Sequence, residues 1–250
     1  MNLGLKDKVV IVTWYSQGVG TEISNLLAEE GAIPVLVGRD QKSILNAVKI
    51  IHDKNQNASY AFAEVTSPEN CKDVVASVKM EFGRIDGLVN ISCVNDGVGL
   101  ESFNYEGFKE SISKYSVHCN PMAHYALPEL KKSKGAIVKV DSKISGYAAA
   151  KGVRNAFTRE WAAELLPYNI RVNAVITENF TPLHDTGINK GKVSENKIEE
   201  ITAEFPLKSP MSTGEEIANT VVFLLSDRSG QTTGQLIVMN GGHTHLDKAF

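Results

Sequence analysis

Short apolar runs alternate along this chain with longer segments in which apolar residues recur every three or four positions. The first run, residues 8–13, is rich in β-branched residues and is followed by Ile23, Leu26 and Leu27 at helical spacing. Short runs of this composition are typical of strands buried on both faces of a parallel sheet. Further runs occupy residues 33–37, 59–65, 87–91, 135–140, 170–176 and 235–239. The pattern therefore predicts seven strands with helices between them.

Capping residues mark where two of the helices begin. Ser67-Pro68 combines an N-cap serine with a first-turn proline, and Thr213-Gly-Glu-Glu resembles a capping box. Helical patterns also predict one long helix over residues 103–130 and another over residues 147–166. Pro121 would lie inside the long helix, where a proline removes a hydrogen bond and costs about 3 kcal/mol.

Strands and helices in strict alternation define the predicted fold. Such units cross over in a right-handed sense and form an open sheet with helices on both faces. We predict an α/β fold, a single doubly wound Rossmann-type domain over residues 1–250 with a seven-stranded parallel sheet. Residues 177–212 depart from the alternation because they are polar and rich in Pro and Gly, with only a short helical pattern at 194–205. A stretch of this length inside a compact domain is usually functional, so we predict a substrate lid there.

A glycine-containing turn follows the first strand. Thr13 ends that strand, and Gly18, Val19 and Gly20 lead into the first helix. Ligands of open parallel sheets bind at the carboxyl ends of the strands, and glycines there let the backbone approach a diphosphate held by helix N-terminal amides. A tight turn without a ligand has the same local pattern, and that interpretation stays open. The order strand, turn, helix, strand favours a dinucleotide site.

The second strand ends at Gly38-Arg39-Asp40. A carboxylate at this position binds the adenosine ribose hydroxyls of NAD, whereas an arginine beside it can bind the 2′-phosphate of NADP. Arg39 therefore modestly favours NADP. An exposed arginine without a ligand, at a strand end, is the equally supported alternative.

Tyr147 and Lys151 stand four residues apart in a predicted helix. At this spacing the phenol and the ammonium share one helical face, and the cation lowers the pKa of a phenol from its usual value of about 10. Tyr147 could then act as a general acid or base near neutrality. The spacing also occurs by chance in many helices. Its position after the fifth strand, which ends Val140-Asp141-Ser142, and before Asn169-Ile-Arg-Val-Asn-Ala-Val favours the catalytic interpretation.

These motifs together resemble a known enzyme family over the whole chain. The segment Gly146-Tyr-Ala-Ala-Ala-Lys-Gly, the following Thr158-Arg-Glu-Trp-Ala-Ala-Glu-Leu and the ending Asn240-Gly-Gly-His-Thr-His-Leu-Asp are similar to short-chain dehydrogenases/reductases. Within that family they resemble the branch of L-fucose and related sugar dehydrogenases. The resemblance implies an NAD(P)-dependent oxidoreductase acting on a sugar or another secondary alcohol, with NADP or NAD as the cofactor.

The resemblance also implies roles for individual residues. Tyr147 transfers the proton, Lys151 holds the nicotinamide ribose and lowers the tyrosine pKa, and Ser142 steadies the substrate oxygen. Phe157 and Trp161 would lie at a subunit interface of a homotetramer or homodimer. The candidate cofactor-binding residues are Thr13, Gly18, Val19, Gly20, Arg39, Glu64, Val65, Asn90, Tyr147 and Lys151.

Some positions differ from the family pattern and motivate a second hypothesis. Trp14 and Tyr15 follow the first strand, where the family has a glycine and where bulky residues adopt positive φ only at a cost. The family's Asn-Asn-Ala-Gly reads Asn-Ile-Ser-Cys at residues 90–93, and Ser142 lies only five residues before Tyr147. The alternative is a catalytically impaired homologue, a pseudoenzyme that binds a nucleotide or serves as a scaffold.

Composition and charge exclude several other classes. The chain has 250 residues, 42% of them hydrophobic and 22% charged, with 26 Lys and Arg against 29 Asp and Glu and a net charge of −3. No segment reaches the roughly 18 apolar residues that cross a bilayer, and no basic cluster suits nucleic acid. Residues 1–8 show no small-residue cleavage signal. We therefore expect a cytoplasmic protein with a small-molecule substrate and with neither a membrane nor a nucleic-acid partner.

Cysteine and histidine residues give no metal-ligand pattern. Cys71, Cys93 and Cys119 form no CxxC pair, and we expect reduced thiols that pack as small apolar residues. We predict no metal site. His243 and His245 near the chain end could reach the substrate pocket, although solvated histidines are the favoured interpretation.

Overall fold

The computed structural model describes residues 2–13, 18–92, 104–113, 119–143, 148–178 and 213–241. The strands are β1 (Val9–Thr13), β2 (Ile33–Gly38), β3 (Ser59–Phe62), β4 (Gly87–Ser92), β5 (Ala136–Lys143), β6 (Arg171–Glu178) and β7 (Leu236–Met239). The helices are α1 (Val19–Glu29), α2 (Gln41–Asp53), α3 (Pro68–Phe82), α4 (Tyr105–Ile112), α5 (Cys119–Ser133), α6 (Ala148–Leu165) and α7 (Gly214–Leu225). Short 3-10 turns follow at Leu166–Tyr168 and Asp227–Ser229. None of these helices combines the length and apolar character needed to span a lipid bilayer.

The seven strands of the described residues form one sheet in the order β3-β2-β1-β4-β5-β6-β7. Every neighbouring pair is parallel. Helices cover both faces, as a doubly wound sheet requires. The predicted Rossmann-type α/β fold is confirmed.

The core is divided by the sheet into two apolar layers. In β1 the side chains alternate, with Val9 and Ile11 in the cluster shared with α3, α5 and α6, and Val10 and Val12 in the cluster shared with α1 and α7. All five residues of β1 are buried. Burial on both faces stabilises the strand by about 1.5–3 kcal/mol for each large apolar side chain, which explains the uninterrupted apolar run.

Both predicted helix starts are confirmed. The Ser67 side chain accepts a hydrogen bond from the Asn70 N–H at the start of α3, and Pro68 is the first helical residue. At α7 the Thr213 hydroxyl accepts from the Glu216 N–H at 3.2 Å, and the Glu216 carboxylate accepts from the Thr213 N–H at 2.8 Å. Both ends are local motifs, so their geometry follows from a few neighbouring residues.

Within the predicted long helix over residues 103–130 the structure describes α4 and α5; residues 114–118 between them lie outside the described residues, so one continuous helix stays a prediction. Pro121 is the third residue of α5. Pro128 lies further inside α5 and is exposed.

Two boundaries differ from the prediction. The third strand ends at Phe62 rather than at residue 65, because its register partner Gly38 is the last residue of β2, the strand that β3 pairs with among the described residues. The predicted lid begins too early, since Thr177 and Glu178 belong to β6 and pair with the last two residues of β5. The rest of the predicted lid, residues 179–212, lies outside the described residues.

Candidate active site

The strand order changes direction between β1 and β4. From β1 the chain continues to β2 and β3 on one side, whereas β4 to β7 lie on the other. Thr13 and Asn90 are register partners at the carboxyl ends of these two central strands. Ligands of doubly wound folds bind outside the carboxyl ends at such a switch point. The candidate site therefore lies at the sheet edge that the sequence predicts.

Thr13 and Asn90 are both buried and contact each other. The Thr13 hydroxyl lies 3.1 Å from Asn90 Oδ1 and 3.2 Å from the Val89 carbonyl oxygen, so it donates within the sheet. A buried hydroxyl needs such an acceptor, because desolvation without one costs about 1–3 kcal/mol. The hydrogen bond between these two side chains links β1 to β4 at the candidate site. Direct contact of either with a cofactor stays a prediction.

Gly18 supplies the backbone conformation at the start of α1. Its φ of 104° and ψ of −129° lie where residues with a Cβ are strained. As the N-cap residue it has no side chain with which to cap the first turn, in which Val19 and Gly20 are buried. By contrast, side chains cap α2, α3, α4 and α7. A helix N-terminus at the switch point can bind a diphosphate through its amides. Residues 14–17, which precede Gly18, lie outside the described residues.

The two charged residues after β2 have separate partners. Both carboxylate oxygens of Asp40 contact Ser43: the Ser43 hydroxyl donates at 2.6 Å and its N–H donates at 3.2 Å, which caps α2. The hydrogen bond from the Ser43 side chain, followed by that from its backbone, lowers the pKa of Asp40, with a smaller contribution from the charge of Lys42. Arg39 instead forms an ion pair with Glu64 across the ends of β2 and β3. The predicted exposed arginine thus has an acidic partner.

Glu64 and Val65 follow the end of β3. Glu64 Oε2 lies 3.0 Å from Arg39 Nη1, and its Oε1 accepts a hydrogen bond from the Thr66 N–H at 3.2 Å. Val65 is buried, and its carbonyl oxygen accepts from the Cys71 thiol. Desolvation, with a smaller effect from the charge of Glu64, raises the pKa of Cys71 to about 11. The corner of the site formed by the ends of β2 and β3 therefore carries the exposed guanidinium of Arg39, paired with the Glu64 carboxylate, which a backbone N–H also holds.

Two charged residues of β5, Lys139 and Asp141, are buried and were not predicted as site residues. Lys139 is the register partner of Asn90 in β4, and its Nζ lies 3.7 Å from the centroid of the Trp161 ring. A cation over an indole face is stabilised by the ring quadrupole. The signal in the sequence was the polar alternation Lys139-Val140-Asp141 within an otherwise apolar strand. Part of Trp161 therefore packs inside the chain, and its role at a subunit interface stays a prediction.

The three predicted catalytic residues belong to β5, α6 and the segment between them. Ser142 is in β5, where it pairs with Thr177 of β6, and Lys151 is in the first turn of α6. Tyr147 lies outside the described residues and directly precedes α6. Only four residues separate the end of β5 from the start of α6, so both termini lie at the carboxyl edge of the sheet. The backbone thus brings Ser142 and Lys151 to one edge, next to the switch point.

No group of three or more potential metal-ligating side chains occurs within the described ranges. His124 is exposed on α5, where its ring contacts Tyr125 edge to face. Cys93, His243 and His245 lie outside the described residues. The prediction that the protein has no metal site stays a prediction.

A doubly wound sheet in which a helix begins at a glycine beside the switch point is typical of Rossmann-type nucleotide-binding folds. Comparison with known proteins shows which family of nucleotide-binding proteins the chain resembles. A family model described as enoyl-(acyl carrier protein) reductase matches residues 15–244. The 3-oxoacyl-[acyl-carrier-protein] reductase FabG of Chlamydia muridarum is 32% identical over 256 residues, covering 97% of this chain and 99% of the relative.

Two solved structures share the whole fold. The crystal structure of Cj0485 dehydrogenase is 33% identical, with a TM-score of 0.91 over 100% of this chain and 99% of that one. L-Sorbose reductase from Gluconobacter frateurii, complexed with NADPH and L-sorbose, is 25% identical, with a TM-score of 0.87 over 98% and 99% of the two chains.

The chain belongs to the short-chain dehydrogenase/reductase family, as its motifs predict. The family model and the relatives, which are named reductases and dehydrogenases, make the chain an NAD(P)-dependent oxidoreductase of that family. The comparisons give no support to the pseudoenzyme hypothesis. They do not distinguish the sugar-dehydrogenase branch from other branches of the family.

Proposed function

We propose that the protein transfers a hydride between a nicotinamide cofactor, with NADP preferred over NAD, and a sugar or another secondary alcohol. One observation carries the proposal: Ser142 belongs to β5 and Lys151 to the first turn of α6, at the sheet edge that also holds Thr13 and Gly18. The family's serine, tyrosine and lysine correspond to Ser142, Tyr147 and Lys151.

The chemistry divides between the cofactor and these side chains. When bound, the cofactor accepts a hydride from the substrate carbon in the oxidative direction and returns it in the reductive direction. The Tyr147 phenolate takes the hydroxyl proton of the alcohol, and the Lys151 ammonium favours that phenolate. The Ser142 hydroxyl hydrogen-bonds the substrate oxygen. In reduction, the Tyr147 phenol donates the proton to the forming alkoxide.

The preference for NADP rests on the two charges after β2. Asp40 is the carboxylate that could bind the ribose hydroxyls of NAD, but Ser43 engages both of its oxygens. Arg39 has a side chain that is 68% exposed, and its guanidinium is the cation adjoining that corner. A guanidinium binds phosphate oxygens through paired N–H groups. The structure of a relative with bound NADPH gives further support.

The substrate class rests on the resemblance and on one structural relative. The neighbour described above is named an L-sorbose reductase and was crystallised with that sugar. The segment 179–212 after β6 would form the rest of the proposed substrate lid, which excludes water and shapes specificity. A ketone of a 3-oxoacyl thioester is the competing substrate, because FabG enzymes are among the relatives.

A substrate screen with a tyrosine variant tests the proposal. Purified protein is assayed with NADP⁺ and NAD⁺ against L-fucose and related polyols, and in reverse with NADPH against L-sorbose and a 3-oxoacyl thioester. We expect turnover of a sugar. Tyr147→Phe keeps the ring but removes the proton donor, so kcat should fall at least about 100-fold.

Tyr168→Phe is the matched control. Tyr168 is 41% exposed in the 3-10 turn after α6, where Lys131 lies over its ring, far along the chain from the proposed acid. This variant should retain the wild-type kcat. Turnover that survives Tyr147→Phe would remove Tyr147 from the mechanism, and turnover of the thioester alone would replace the proposed substrate class.

A further inference from the structure

Arg39 and Glu64 form a defined ion pair at one corner of the candidate site. The Ala63 N–H donates to the Gly38 carbonyl oxygen at 2.9 Å, which extends the pairing of β2 and β3 to the residues that precede the two charges. Arg39 Nη1 then lies 3.0 Å from Glu64 Oε2. The pair is thus held by the sheet itself and joins the two strands at their carboxyl ends.

The two side chains differ in how firmly they are held. The Thr66 N–H donates to Glu64 Oε1, and the Asn70 side-chain amide donates to the Glu64 carbonyl oxygen at 3.3 Å. The Glu64 side chain is 35% exposed, whereas that of Arg39 is 68% exposed. Glu64 is therefore the fixed partner, and a ligand in solvent can approach the guanidinium from its exposed side.

Other charged residues near the ends of β2 and β3 have different contacts from those of Arg39. Asp40 is the next residue along the chain, but its carboxylate is turned to Ser43 and caps α2. Lys42 is exposed in the first turn of α2 and adds a second positive charge near Asp40. Glu64 is the carboxylate in direct contact with the Arg39 guanidinium among the described residues.

We infer that Glu64 competes with the 2′-phosphate of NADP for the Arg39 guanidinium and thereby limits the preference for NADP over NAD. This inference rests on the proposed function, because it assigns specificity within the same cofactor site. A phosphate bound to Arg39 would lie within a few ångströms of a fixed carboxylate, and the two anions repel each other. Because the pair is exposed, solvent screens this repulsion, and the effect on selectivity is modest. Glu64 thus allows both cofactors to be used.

The test compares ligands that differ only in the 2′-phosphate. Calorimetry gives the Kd of adenosine 2′,5′-bisphosphate and of adenosine 5′-monophosphate, and the comparison is repeated with NADP⁺ and NAD⁺. Glu64→Gln keeps the shape and the hydrogen-bonding oxygen but removes the charge. We expect it to shift the ratio of Kd values within each pair of ligands by about twofold to fivefold in favour of the 2′-phosphorylated ligand, because any effect of Glu64 on the part of the site that both ligands share cancels in the ratio. The gain should shrink in 0.5 M salt, since the effect is Coulombic.

Glu81→Gln is the matched control for the loss of one negative charge. Glu81 accepts hydrogen bonds from the Ser59 hydroxyl at 3.2 and 3.3 Å, at the amino end of β3 and thus at the opposite end of the same strand. Its removal should change neither ratio of dissociation constants. Arg39→Met should abolish the preference for the 2′-phosphate and reduce the effect of a second Glu64→Gln change.

Three outcomes would overturn the inference, and they are distinguishable from a failure of the proposed function. An unchanged ratio in Glu64→Gln would show that the carboxylate does not compete for Arg39. A fall in the preference for the 2′-phosphate would make Glu64 a positioning residue that supports the site. An equal gain in the preference for 2′-phosphorylated ligands in Glu81→Gln would show that the effect comes from the net charge of the protein and not from the contact of Glu64 with Arg39. If the wild-type protein binds neither NADP⁺ nor NAD⁺, the proposed function itself is wrong and the inference falls with it.

Discussion

Polar side chains at the carboxyl edge of the sheet are mostly satisfied within the chain. Thr13 bonds to Asn90, Asp40 bonds to Ser43, and Lys139 lies over the Trp161 ring. The sequence predicted the edge at which these residues lie but not their partners. A partner across the sheet depends on strand register, which an apolar run of uniform composition does not specify.

Cys71 provides a prediction at this scale. Its thiol is buried against the Val65 carbonyl, and desolvation raises its pKa to about 11. Because the thiolate is the reactive form, Cys71 should resist iodoacetamide near pH 8 in the folded protein. Mass spectrometry of the peptide that contains Cys71 measures the modified fraction. The same peptide should be fully modified in concentrated urea, and rapid labelling of the native protein would contradict the assigned burial.

The sign of the pH dependence follows from the same shift. The folded-state pKa lies above the unfolded value of 9.0, so the folded protein keeps its proton when the unfolded chain has already lost it. The contribution of Cys71 to stability is therefore fully present below about pH 9 and is lost as the pH rises toward 11. Cys71→Ala should flatten this alkaline limb of the stability curve.

The ends of helices and strands were predicted correctly where a local motif sets them. Ends that depend on contacts with other strands were not. The N-caps at Ser67 and Thr213 were read correctly because each involves residues three positions apart. The end of β3 depends on pairing with β2, and the end of β6 depends on pairing with β5.

The capping box of α7 supports a prediction about an element. Thr213→Ala removes the hydroxyl that accepts from the Glu216 N–H, while the contacts of α7 with α1 remain. We expect a loss of about 1 kcal/mol of unfolding free energy and a fall in Tm of about 2–4 °C. Urea unfolding followed by circular dichroism measures this loss.

Thr220→Ala is the matched change inside the same helix. The Thr220 hydroxyl bonds back to the Glu216 carbonyl oxygen at 3.4 Å, and alanine has the higher helix propensity. Stability should stay equal or rise slightly. Equal losses in the two variants would show that the cap contributes nothing beyond side-chain packing.

The whole molecule is a sheet whose order follows from its connections. Right-handed crossovers between alternating strands and helices restrict the topology to few arrangements, so the doubly wound fold and the edge that holds the site could be predicted. The ion pair of Arg39 with Glu64 could not, since it needs the register of β2 against β3. The tie between the two ends of the described chain could not be predicted either, because it joins residues more than 200 positions apart.

Two contacts hold residues 2–8 against the 3-10 turn Asp227–Ser229 that follows α7. Lys8 Nζ lies 2.6 Å from Asp227 Oδ1, and Arg228 Nε donates to the Asn2 carbonyl oxygen at 2.8 Å. Gly4 has a φ of 70°, and a Cβ there would lie 2.6 Å from Asp227 Oδ2. The positive φ favours glycine at this position, and the next residue, Leu5, is buried in the core.

Leu5 tests whether this contact between distant segments stabilises the molecule as a whole. It is 1% exposed within the apolar cluster formed with α1 and α7, so Leu5→Ala leaves a cavity that these helices cannot easily fill. We expect a loss of about 2–4 kcal/mol of unfolding free energy. Leu45→Ala on α2 is the control, because Leu45 is 44% exposed and its loss should cost less than about 1 kcal/mol. Similar values for the two variants would mean that the first residues separate from the core before the sheet unfolds. Hydrogen exchange of the Val9 amide, which donates to the buried Asp86 carboxylate at 2.9 Å, would then show protection unaffected by Leu5→Ala.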